Sequence, residues 1–142
     1  MIEGGLDVGI TINELITRIN DLSDEQEPNE IIIGFINDAL GKINIECDAD
    51  YPPISIEDME EIFPIPRKWA VTLIVPFGVG RVKQRDSSEF EFSAAYEEFL
   101  INLDEFKTRY DIPEEYQDKD SQNAMSRPSD IYEKPPWFYG GF

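Results

Sequence analysis

The sequence predicts an all-α fold, a small bundle of about four to five helices with an extended C-terminal tail. Three observations carry this. Apolar residues recur at helical spacing in several separate segments. Capping residues, prolines and acidic breaks fall between those segments. Nowhere does a two-residue alternation persist between turn signals, as a half-buried strand requires.

Residues 1–10 are Gly-rich and are expected to be loose, or ordered only by a partner. Thr11 then opens a helix, with Glu14 three places on in the spacing of a capping box. Ile12, Leu15, Ile16, Ile19 and Leu22 form its one-faced stripe, and the acidic stretch from Ser23 to Asn29 ends it. A second helix is expected from about Pro28 to Ile45. Pro28 suits a first turn, and Glu27 and Glu30 suit its positive dipole end. Its apolar positions are Ile31, Ile32, Phe35, Ile36, Ala39, Leu40 and Ile43. After a loop from Asp48 to Pro53, a short helix capped by Ser55 is expected to reach Phe63, bounded by Pro64 and Pro66.

Trp69, Ala70, Leu73 and Ile74 read as a buried helix that meets Pro76. An interior proline removes a hydrogen bond and crowds the carbonyl of Thr72, a cost of about 3 kcal/mol, so a kink is expected. Helix resumes through Val79 and Val82 despite Gly78 and Gly80, and breaks at Asp86-Ser-Ser. Phe92, Ala95, Tyr96, Phe99, Leu103 and Phe106 give the last helix its apolar face, and Pro113 stops it. The domain organisation is therefore a loose N-terminus over 1–10, a helical body over 11–110 and a Pro/aromatic arm over 111–142.

Composition bounds the function. Thirty acidic residues face twelve basic ones with no histidine, a net charge of −18 across 142 residues. Such a field repels nucleic acid and the anionic membrane surface, and favours solubility or basic protein partners. No apolar run approaches a membrane span, and Met1-Ile-Glu-Gly-Gly lacks the basic start of an export signal, so neither membrane nor export is expected. Without histidine the usual general base is missing, so no catalytic residues are assigned and the chain is read as a non-enzyme. A pair of carboxylates meeting in space stays open as a hydrolase alternative. Cys47 stands alone between Glu46 and Asp48, which raise a thiol pKa and blunt its reactivity. The acid clusters Asp21–Glu27 and Glu57–Glu61 lack the spacing and central glycine of a calcium loop and read as solvated faces, and no metal or cofactor is expected. Gly78-Val-Gly80 is too short a pattern for phosphate binding.

Two groups point to surfaces. The terminal Trp137, Phe138, Tyr139 and Phe142, preceded by Pro135 and Pro136, read as a docking arm whose prolines lower its ordering cost. The alternative is that the tip folds back to cap a gap in the chain's own body. Arg67, Lys68, Arg81, Lys83 and Arg85 gather scarce positive charge near the Pro76 helix. They pair either with acids of a neighbouring subunit or with the chain's own.

The order of elements resembles the head–tail adaptor (connector) proteins of tailed bacteriophages over roughly residues 10–110. The resemblance lies in Thr11-Ile-Asn-Glu-Leu-Ile-Thr-Arg-Ile and Glu30-Ile-Ile-Ile-Gly-Phe-Ile-Asn-Asp-Ala-Leu-Gly-Lys-Ile, followed by Pro64-Ile-Pro-Arg-Lys-Trp-Ala. It continues in Asp86-Ser-Ser-Glu, which leads into the aromatic helix Tyr96–Phe106. The resemblance implies a homo-oligomeric, dodecameric ring stacked on a portal protein. Such a ring sits at the head–tail interface of the virion, is assembled in the host cytoplasm, and offers a platform to a stopper or tail-completion protein. DNA passes through the ring without being specifically bound, and negative lumen walls suit that passage. Close packing of such acidic subunits implies that assembly needs the portal as template, or salt. The rival from another class is an acidic DNA mimic that inhibits a host DNA-binding enzyme.

Overall fold

In a computed structural model, which describes residues 9–85 and 89–119, Thr11 caps the first helix through its Oγ1, which accepts from Glu14 N at 3.1 Å. Only this half of the capping box forms, because the Glu14 carboxylate is held by Arg67 and Arg18 instead. The next free amides find loop carbonyls: Ile12 N donates to Glu61 O at 3.1 Å and Asn13 N to Met59 O at 2.8 Å.

Four helices are described: α1 (Ile12–Ser23), α2 (Asn29–Cys47), α3 (Arg67–Arg85) and α4 (Glu89–Arg109). No named strand occurs among the described residues. The fold is all-α, as expected. Pro28 sits one position before the helix instead of inside its first turn, and its carbonyl accepts from Ile31 and Ile32. Both α1 and α2 end on a left-handed aspartate, Asp24 at φ 60° and Asp48 at φ 53°. Aspartate tolerates that conformation better than most residues.

Helix α3 lies at the centre and packs against each of the other three. It is buried around its girth, through Ala70, Leu73, Ile74, Val75, Phe77 and Val82. That distribution suits a helix surrounded by protein. Its glycines allow close approach. A Cβ on Gly78 would collide with the Ile19 side chain of α1, and one on Gly80 would lie 2.8 Å from Ala95 Cβ of α4.

Pro76 lies inside α3, which remains one helix. The carbonyl of Thr72 that its missing N–H would have satisfied accepts instead from Asn102 Nδ2 of α4, at 2.9 Å. The proline's orphan is therefore repaired from a neighbouring helix.

The segment expected to be a helix from Ser55 to Phe63 forms only the 3-10 turn Ile56–Asp58. Ser55 makes the expected cap, with Asp58 completing the box. Beyond it the backbone is used elsewhere. Met59 O and Glu61 O serve α1, and Phe63 N donates to Ile10 O at 2.8 Å. A helix continuing to Phe63 would pair Phe63 N with Met59 O, and both are taken, so the helix stops at the 3-10 turn and the longer expectation is not met. Ile10, assigned to the loose N-terminus, is buried through this contact.

Two asparagines one heptad apart on α2 hold the following loop. Asn37 Oδ1 accepts from Ile54 N at 2.7 Å and its Nδ2 donates to Ile54 O at 3.0 Å. Asn44 does the same for Tyr51, at 2.9 and 3.1 Å. Residues 111–119 still lie on the body. Asp50 N donates to Tyr116 O at 2.7 Å and Asp118 N to Asp48 O at 2.9 Å, while Tyr116 stacks on Tyr51 with ring centroids 4.6 Å apart.

Candidate assembly surfaces

The basic cluster sits on α3, and carboxylates of the same chain meet most of it. Arg67 forms a bidentate pair with Glu14, at 2.8 and 3.0 Å, and its Nε donates to Gly9 O at 3.1 Å. This planar fork ties the approach to α1 onto the start of α3. The same Arg67 hydrogen bonds, opposed by partial burial and aided by Arg18, hold the Glu14 carboxyl below the usual carboxylate range. Arg81 reaches Asp38 at 2.8 Å and lies over the rings of Phe35 and Phe77, at 4.9 and 5.7 Å. Lys83 faces Glu91 at 3.7 Å and Arg85 faces Glu27 at 3.4 Å. Lys68 lies over the Trp69 ring at 5.3 Å. Of the two readings left open by the sequence, these contacts favour pairing within the chain for Arg67, Arg81, Lys83 and Arg85.

The docking residues Pro135, Pro136, Trp137, Phe138, Tyr139 and Phe142 lie outside the described residues. So does the expected break at Asp86-Ser-Ser, which falls between the end of α3 and the start of α4.

Two apolar surfaces emerge that the sequence reading did not single out. Helix α4 buries Phe99, Leu103 and Phe106 against α3, yet Phe90 is 84% exposed and Ile101 66% exposed. These two residues stand eleven positions, or three turns, apart, so they share the outward face. Leu100 is also exposed and lines a shallow recess with the exposed Ile45 of α2. Phe90 and Ile101 lie off the core stripe and make one spacing, not a period, so no periodic signal marked them.

The second surface is a groove whose floor is α3. Val71, Val75, Pro76 and Val79 line it, with Leu22 of α1 and Ala95 of α4 as walls. Leu22 completes the α1 stripe by spacing, yet it is 66% exposed. Glu98 supplies the groove's carboxylate.

Cys47 lines a polar recess with Lys107, Tyr110 and Gln117. Burial pushes its thiol up to about 11, with Glu46 and Asp48 adding and Lys107 opposing. Tyr51 Oη is buried with no hydrogen-bond partner among the described residues, and burial pushes its phenol well above the usual tyrosine range. Among the described residues, no group of three or more His, Cys, Asp or Glu is placed to hold a metal ion. No described helix is long and apolar enough to cross a membrane. Comparison with protein-family models, curated proteins and solved structures returned no match to the chain.

Proposed function

We propose that this chain is an assembly subunit without catalytic chemistry, acting as a head–tail adaptor of the tailed-bacteriophage kind. In this reading copies of it form a ring that stacks on a portal protein, extends the DNA channel and receives a stopper or tail-completion protein. The observation that carries the reading is α4. Its inner face is committed to the core, while Phe90 and Ile101 stand exposed on its outer face in a chain of net charge −18. On that outer face, shared with Glu97, Asp104 and Glu105, two large apolar side chains stand in water unless a neighbour covers them. A ring places a neighbour on every subunit, which accounts for the second face.

The charge fits the same picture. Exposed carboxylates occur on α1, α2 and α4 and in the connecting loops, while α3 carries none. DNA passing such a surface is repelled and does not adhere. A DNA mimic needs its carboxylates ranked along one face, and this spread does not favour it. The exposed Phe90 and Ile101 of α4 also have no part in mimicry.

The test is the mass of complexes formed with and without a portal ring, comparing the full chain with one ending at Ser129. A portal-dependent ring that is lost on truncation supports the adaptor reading and places the docking energy in the arm. A chain that stays monomeric beside portals but binds a DNA-processing enzyme overturns it in favour of the mimic.

A further inference from the structure

We infer that the groove floored by α3 is the seat of the chain's own C-terminal aromatic tip, Trp137 to Phe142, in the unassembled molecule. The groove has an apolar floor in Val71, Val75 and Val79, and Leu22 stands on its rim with two thirds of its surface open. Aromatic rings bury roughly 150–250 Å² each, so two or three of them suffice to cover such a strip. The chain supplies four within its last six residues.

Reach and charge agree with this occupant. Lys119, the last described residue, follows a segment packed against the loop after α2, which binds it through Asp48 and Asp50. Pocket residues Tyr110 and Gln117 share a recess there, so the arm departs from the Tyr110 end of α4. The groove wall at Ala95 lies fifteen residues back along that helix, roughly 22 Å. Seventeen residues lie between Lys119 and Trp137, and a chain of those eighteen steps with the flexibility of a Gly/Ser linker averages roughly 21–25 Å end to end. A tether whose mean span matches the gap gives an effective concentration in the millimolar range. At micromolar protein, contact within one chain therefore outcompetes contact between chains. Lys134, three residues before Trp137, has a counterpart in Glu98 at the groove.

This inference does not depend on the adaptor reading. It has a consequence for any assembly, because a partner that takes the tip must first draw it from the groove. Exposure of the tip then becomes a step controlled by the partner.

The experiment places a photo-reactive benzoylphenylalanine at position 138 of the full-length chain, at micromolar concentration and without partner. Cross-linked peptides are mapped by mass spectrometry. The expected products run as a single-chain band and join position 138 to Leu22, the Val71–Val79 segment or Ala95. Leu22→Glu and Glu98→Lys, both at exposed positions, are expected to lower that yield roughly tenfold while helix content by circular dichroism is unchanged; tenfold corresponds to about 1.4 kcal/mol. Cross-links that map elsewhere, run only as a two-chain band, or persist in both variants overturn the inference. A single-chain cross-link without any portal-dependent ring leaves this inference standing and removes the adaptor reading.

Discussion

Asn102 should matter only because Pro76 is where it is. Proline at position 76 leaves the Thr72 carbonyl without its helical donor, and Asn102 Nδ2 supplies one at 2.9 Å. Removing that donor in Asn102→Ala is expected to cost about 1–1.5 kcal/mol, toward the lower part of the range for an unsatisfied carbonyl, because Thr72 is exposed enough for water to compete. Pro76→Ala restores the backbone N–H and is expected to stabilise by about 1–2 kcal/mol. That is less than the full proline penalty, because the unfolded chain regains conformational freedom. In the Pro76→Ala background Thr72 already has its donor, so Asn102→Ala should cost only about 0.5 kcal/mol. The double-mutant cycle then yields a coupling of about 0.5–1 kcal/mol, while packing losses common to both backgrounds cancel. Urea unfolding followed by circular dichroism measures all four species. An identical cost of Asn102→Ala in both backgrounds would refute the repair of α3 by α4.

Other expectations follow from single contacts. Gly80→Ala, which normally stabilises a helix, should instead destabilise by about 1–3 kcal/mol in urea unfolding, since the new methyl meets Ala95 Cβ at 2.8 Å. Glu14 titrates below its ordinary value of 4.5 in the folded state because of Arg67. Its contribution is therefore complete above about pH 4.5 and is lost as pH falls through the lower folded value. In Arg67→Met the acid limb of a stability–pH curve should lose that component. With its thiol at about 11, Cys47 should react with iodoacetamide at pH 8 roughly a hundredfold more slowly than an unperturbed cysteine of pKa 9, and the rate should still be rising at pH 10. Rapid alkylation at neutral pH would contradict its burial.

The helical stripes were legible because they depend on spacing alone. Ile12, Leu15, Ile16 and Ile19 are all buried, as is α2 from Ile32 to Ile43 along its face. Leu22 follows the same period and fails, because the groove leaves it facing solvent. Ser55 signalled a helix start correctly, but its length was decided by the amide demands of α1, more than forty residues earlier in the chain. Pro76 announced an orphan carbonyl at Thr72; no local pattern pointed to Asn102 as its donor. The apolar face of α4 was partly legible. Phe90 and Ile101 fall off the period of the stripe from Phe92 to Phe106, and two isolated apolar residues carry no periodic signal of their own. The basic residues of α3 were found by composition, whereas the choice between partners depended on where Glu14, Asp38 and Glu27 fold.

The central claim is that the outer face of α4 is an assembly face. It is tested most directly by the mass, by sedimentation, of the Phe90→Glu/Ile101→Glu chain mixed with a portal ring at physiological salt. Both side chains are exposed, so melting should be nearly unchanged. The account predicts that the unaltered chain adds to the portal as a ring and that the double variant does not. A double variant that assembles as well as the parent would contradict it.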